Sequence, residues 1–185
     1  RLAKTIGNQA AFEVYKELVK VTEQATEHLD TDLRIYFSDA IVETKWKNSY
    51  KAVQKGKNLG ERMSNAFFDG FEDGYERIVL IGSDLPDINA THIQNGLDAL
   101  EASEVIFGPA EDGGYYLIGM SKMNTKVFEN KPWSQSHLLS ETLSELKQNN
   151  TTFATLDVLN DIDTFEDLEA SDFYKNNKEL KHKIK

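Results

Sequence analysis

Apolar residues change their spacing several times along this chain, and each change marks an element. Behind Asn8, a good cap, Phe12, Tyr15, Leu18, Val19 and Thr22 recur at three- and four-residue intervals and predict an amphipathic helix from about residue 8 to residue 28. The segment 33–37 alternates and is rich in β-branched and aromatic residues, which predicts a strand. Residues 77–81 form a nearly continuous apolar run, the pattern of a strand buried on both faces. Met63, Ala66, Phe67 and Phe71 fall in helical register over 59–71, and Ile93, Leu97 and Leu100 mark a further helix. Short strands are expected at 104–107, 115–119 and 152–155, and a helix at 137–148 carrying Leu138, Leu139, Thr142, Leu143 and Leu146 on one face. The largely polar stretch 43–57, around Trp46 and Tyr50, is expected to be an irregular surface excursion. Strands alternating with helices predict an α/β fold with a mostly parallel sheet covered on both faces, and such sheets bind ligands at the carboxyl ends of their strands.

Composition narrows the chemistry. At 185 residues the chain is long enough for one domain with a proper core, and no run approaches the roughly 18 apolar residues a membrane-spanning helix needs. No cysteine is present, which removes disulfides, thiolate metal sites and thiol nucleophiles and suits a reducing, cytoplasmic compartment. The formal charge, 21 − 31 = −10, disfavours nucleic acid as a partner. A small nucleotide is still compatible where a divalent cation and helix amino termini take up its phosphates. Residues 172–185 depart from the trend, with five lysines against Asp172 and Glu179, so this tail carries +3 and residues 1–171 carry −13. The domain is expected at 1–171, with the basic tail as a solvated terminal helix or frayed end. His28, His92, His137 and His182 have neither zinc spacing nor a serine elbow to serve, which excludes a zinc hydrolase and a serine triad.

Four segments could carry chemistry. In Ile78-Val-Leu-Ile-Gly-Ser-Asp-Leu-Pro86, an aspartate just past a buried strand sits where a cation could bridge it to a diphosphate, although Asp84 could equally cap the next turn. Gly82 allows close backbone approach and Pro86 stiffens the exit. In Gly108-Pro-Ala-Glu-Asp-Gly-Gly-Tyr-Tyr-Leu-Ile-Gly119, Asp-Gly is a strong hairpin signal, but it does not account for Glu111 beside Asp112 or for the paired tyrosines. Such a loop could hold a ribose, a sugar or a phosphate. In 160–168, Asp163 and Glu166 read as a capping-box-like helix start, leaving Asp161 free to reach a metal. Residues 54–63 form a polar loop opening a helix, where Lys55, Lys57 and Arg62 would suit an anion, although Gly56 and Gly60 could be loop punctuation alone.

Taken in order, Arg1-Leu-Ala, Gln54-x-Gly-x-x-Leu-Gly-Glu-Arg-Met63, Ile81-Gly-Ser-Asp-Leu-Pro86, the glycine-rich segment 108–119, Trp133-Ser134 and Asp161-Ile-Asp-Thr-x-Glu-Asp-Leu168 resemble the DUF2064 family. This is a bacterial group of candidate glycosyltransferases with the nucleotide-diphospho-sugar transferase (GT-A) fold, some named for arsenosugar biosynthesis. The resemblance spans nearly the whole chain, and the Asp112 segment is its most specific part. Its Asp-x-Pro and Asp-x-Asp pieces are shared with molybdopterin-guanine and phospholactate nucleotidyltransferases. The resemblance implies a Rossmann-like three-layer α/β/α sheet domain, with a divalent cation (Mg2+ or Mn2+) held by Asp84, Asp161 and Asp163. It implies that Arg1, Gly60, Arg62, Gly82, Ser83 and Pro86 meet the nucleotide. Glu111, Gly113, Gly114, Tyr115, Trp133 and Ser134 would then lie on the sugar or acceptor side, with Asp112 and Asp84 catalytic. Such families begin with a strand and a basic glycine-containing loop, which would precede Arg1, and Arg1 resembles that loop's end. The expected partners are a nucleotide or nucleotide sugar and a small acceptor. Glycosyl transfer is the leading expectation, nucleotidyl transfer with pyrophosphate release the second, and an inactive nucleotide-binding module the third.

Overall fold

The apolar runs assemble into two sheets. The computed structural model describes residues 1–184. A long helix α1 (Leu2–Thr26) leads into β1 (Arg34–Phe37) and β2 (Tyr50–Val53), which pair with each other in parallel. Helix α2 (Leu59–Glu72), β3 (Ile78–Ile81), α3 (Ala90–Ala99), β4 (Val105–Pro109), β5 (Tyr115–Met120), α4 (Leu138–Gln148) and β6 (Phe153–Thr155) follow. The second sheet has the order β3-β5-β4-β6. β3, β4 and β6 run the same way and β5 runs against them, because the tight Asp112-Gly113 turn returns the chain as a hairpin. Three helices close the chain: α5 (Phe165–Ala170), α6 (Asp172–Asn176) and α7 (Lys178–Lys183).

The layers follow from which side chains each face offers. On one face, Met63 and Phe67 of α2 and Leu139 and Leu146 of α4 pack on Phe107, Ile118 and Met120. On the other, Ala25 of α1 and Ile93 of α3 pack on Ile106 and Leu117. Each fully buried side chain of this size stabilises the fold by about 1.5–3 kcal/mol. The basic tail is docked: Leu180 is buried with Val14 and Leu18 of α1 and Leu168 of α5, while Lys175, Lys178 and Lys183 are exposed; Lys185 lies outside the described residues. No helix among the described residues is long and apolar enough to cross a membrane.

Several expectations are corrected. The first helix starts at Leu2, with a break at Gly7 (φ +81), and its buried stripe is Val14, Leu18, Val19 and Thr22, whereas Phe12 (55% exposed) and Tyr15 (50%) point to solvent. Phe12, Tyr15 and Val14 sit on adjoining helical positions, and packing against Leu168 of α5 and Leu180 of α7 selects Val14. The stretch expected to be irregular contains β2, whose short Tyr50–Val53 run pairs in register with β1. The run 78–81 forms a strand but is only half-buried, because it lies at the edge of its sheet. Asp163 is not the helix cap: Thr164 caps α5, in a reciprocal box with Asp167.

Candidate functional site

Three chain segments bring carboxylates to one end of the sheet. β3 delivers Gly82, Ser83 and Asp84; the β4–β5 turn delivers Asp112; and the segment after β6, tied down by the Ala110–Leu159 bridge and by Ile162 N–H donating to the Asp84 carbonyl (3.2 Å), delivers Asp161 and Asp163. One carboxylate oxygen each of Asp112, Asp161 and Asp163 lies within 4.8 Å of the other two. Asp84 stands beside this group. Its carboxylate folds back over Gly82, where a Cβ would come within 2.6 Å of Asp84 Oδ1, so the glycine makes room for the acid.

Crowding of like charge marks the electrostatics. Asp84 is reachable by solvent within a cleft, yet the protein displaces enough water to raise its carboxyl above the usual value, and Asp163 and Asp112 add repulsion. Asp161 is pushed up to about 6, first by desolvation and then by Asp84. The cation that pairs here is Arg1, whose Nη1 donates to Asp163 Oδ2 at 2.7 Å; both side chains are partly exposed, so the pair contributes at most about 1 kcal/mol. Hard carboxylate oxygens that repel one another suit a hard divalent cation by donor type, and binding one would relieve their repulsion.

These acids head a cleft of about 580 Å3, within the range of small-molecule sites. Arg1, Arg62, Gly82, Ser83, Asp84, Asp112, Gly114, Tyr115, Trp133, Ser134, Asp161 and Asp163 all line it. Arg62 is held there by Gln54 Oε1 (3.4 Å) and the Gly56 carbonyl (3.3 Å). Gly60, Pro86, Glu111 and Gly113 do not line the cleft. Two of these four shape it from behind. A Cβ on Gly60 would meet Trp133 and the Phe128 carbonyl at 2.8 Å, so the indole lies on the glycine. Gly113 (φ +88) packs so closely under the loop after Trp133 that a Cβ would sit 1.9 Å from the Ser136 carbonyl oxygen. Asp112 Oδ1 accepts from Gly114 N–H (2.8 Å), which leaves Oδ2 for a ligand. Ser134 is itself left-handed (φ +63), uncommon for serine.

Among the described residues, three that line the cleft carry buried polar atoms without partners: Arg34 Nε, Tyr36 OH and Tyr115 OH. Arg34 and Tyr36 escaped the sequence reading, since alternation marks a strand without saying which neighbour its polar tips lack. Burial drives the Tyr115 phenol strongly upward, so it stays protonated and is a potential donor.

The family model for DUF2064, described as an uncharacterized protein conserved in bacteria, matches residues 39–135. A candidate nucleotide-diphospho-sugar transferase from Desulfovibrio desulfuricans G20 is 33% identical, with a TM-score of 0.86 over 100% of this chain and 89% of that one. Two structures of Rv0371c from Mycobacterium tuberculosis H37Rv share the fold at lower similarity. The manganese complex has 16% identity and a TM-score of 0.52 over 84% of each chain. The other has 15% identity and a TM-score of 0.50 over 84% of this chain and 81% of that one. No curated protein matches the chain. On the family match and the 33% identity over its whole length, the chain belongs to the DUF2064 family and has the fold of the nucleotide-diphospho-sugar transferases.

Proposed function

We propose that this protein is a metal-assisted transferase that moves a sugar from a nucleoside diphosphate to a small acceptor hydroxyl. The observation that carries the reading is the convergence of Asp112, Asp161 and Asp163, with Asp84 beside them, at the head of one ligand-sized cleft. The name borne by the Desulfovibrio relative, and the manganese in the distant Rv0371c complex, point the same way. Asp112, Asp161 and Asp163 would hold a divalent cation, which would supply charge neutralisation for a leaving diphosphate. Arg62 and the Gly82–Ser83 backbone line the cleft where phosphate oxygens would lie. Asp84 stands beside the metal group without joining it, and its raised affinity for a proton makes it a better base than an ordinary aspartate for orienting or deprotonating the acceptor hydroxyl. Ser134 and Trp133 line the cleft and offer a hydroxyl and an apolar wall to the sugar.

The test is a thermal-shift screen of nucleotide sugars with and without Mn2+, followed by product analysis. Metal-dependent stabilisation and release of a nucleoside diphosphate support the reading. Pyrophosphate released from a nucleoside triphosphate replaces it with nucleotidyl transfer, and binding without turnover on any acceptor reduces the protein to a nucleotide-binding module.

A further inference from the structure

The wall of the cleft formed by Trp133, Ser134 and Gln135 belongs to no helix or strand. It lies in the stretch 129–136, between Phe128, whose ring packs on Phe67 with centroids 5.8 Å apart, and the start of α4. Two residues of this stretch, Asn130 (φ +53) and Ser134 (φ +63), are left-handed without being glycine. Such conformations cost energy and persist only where the surroundings over-determine them. Two close contacts help to do so: the Trp133 indole lies on Gly60, and the Ser136 carbonyl lies against Gly113. Both are contacts of shape, and shape alone lets an indole tilt or slide.

The directional hold comes from Lys131. Among the described residues it is the only lysine, arginine, aspartate or glutamate that is buried, with its side chain 1% exposed, and its Nζ donates to Glu145 Oε2 of α4. From there the chain turns tightly about Pro132. The Lys131 carbonyl accepts from Trp133 N–H at 2.9 Å, and the Pro132 carbonyl accepts from Gln135 N–H at 3.1 Å. Proline fixes its own φ, so little freedom remains between the anchored ammonium and the indole. A buried ion pair is a poor source of stability, because desolvating the charges offsets most of their attraction, and an apolar pair of similar volume holds two elements together as well or better. What the charged pair adds is a single geometry.

We infer that Lys131 is a positioning residue of the cleft: its buried ammonium, held by Glu145, fixes Trp133 and Ser134 as the wall that meets the sugar. The identity of what is met rests on the transferase reading; the positioning of Trp133 does not.

Fluorescence reads Trp133 directly. The chain has two tryptophans, so Trp46→Phe leaves Trp133 as the sole indole. In that background Lys131→Met keeps an apolar stem, removes the charge and leaves Glu145, 49% exposed, where water reaches it, so the fold is expected to survive. Trp133 emission is expected to shift to the red and to become more open to acrylamide quenching at temperatures well below Tm. Combining Lys131→Met with Glu145→Met is expected to recover Tm while the emission stays displaced. With a nucleotide sugar as substrate, both variants are expected to raise KM more than they lower kcat, because a wall that touches ground state and transition state alike contributes uniform binding. The inference is overturned if Lys131→Met leaves the Trp133 emission unmoved, if the apolar pair restores it, or if KM keeps its wild-type value. A wild type that binds no nucleotide sugar sinks the transferase reading and leaves the fluorescence to decide the role of Lys131, whereas unmoved emission in an active enzyme sinks the role of Lys131 alone.

Discussion

The two ends of the cleft are incomplete in opposite ways. At the head, Asp84, Asp112, Asp161 and Asp163 crowd negative charge that water and Arg1 only partly offset. In the slot between the two sheets, apolar walls surround main-chain groups that have no ladder partner. The head concentrates carboxylate charge, and the slot leaves main-chain groups of β1 and β3 facing the cleft. Excess charge tolerates solvent, whereas apolar walls beside open strand edges are a liability that proteins ordinarily blunt. The two ends of one cleft therefore differ in what holds them open, like charge at one and unpaired strand edges at the other.

Phe67→Ala should break the slot end hardest. Phe67 is fully buried between Phe71 and Phe128, and its loss is expected to cost about 3–5 kcal/mol in urea denaturation. Gly113→Ala attacks the head from behind. A Cβ 1.9 Å from the Ser136 carbonyl at a positive φ is expected to cost about 2–3 kcal/mol and to shift the Asp112 turn, seen as lost Mn2+-dependent stabilisation beyond the loss of Tm.

Asp161→Asn sharpens the contrast by removing charge alone. The carboxyl titrates at about 6 in the folded chain against 3.8 as a free group, so the folded state binds the extra proton between those values, and stability falls as pH rises through that window. The cost is complete above about pH 6. The variant is expected to flatten that slope and, discounting the shift for partial exposure, to gain about 1 kcal/mol at pH 7.5 while losing the Mn2+ response. Wild type should show its Mn2+ stabilisation above pH 6 and lose it below, as Asp161 takes up its proton. Arg1→Gln should be the mildest change. Removing an exposed ion pair is expected to alter stability by less than about 0.5 kcal/mol while strengthening apparent Mn2+ affinity, because Asp163 loses its competing cation.

Particular residues show what could be read in advance. Asp84 and Asp112 were legible because each follows an apolar strand through a glycine-bearing turn, a local pattern that puts a carboxylate at a sheet end. The helix cap was not. Asp163-x-x-Glu166 and Thr164-x-x-Asp167 are overlapping signals one residue apart, and the fold selects the second because Asp163 points to Arg1 and the acidic group. β2 was hidden since a short strand gains its identity from pairing with β1, which sequence spacing does not register. Gly60 and Gly113, which the resemblance puts on the nucleotide and sugar sides, each have a neighbour pressed against the missing side chain, Trp133 in one case and Ser136 in the other, which no spacing along the chain reveals.

By itself the sequence determined the alternation of strands and helices, the acidic residues at strand ends and the family, because periodicity and short motifs are local properties of the chain. Only the tertiary structure decided that Asp112 joins Asp161 and Asp163 with Asp84 beside them, that β3 lies at an open edge, and that the cleft runs on into a slot. Those are distances between segments tens of residues apart, set by how the two apolar layers pack and not by any spacing along the chain.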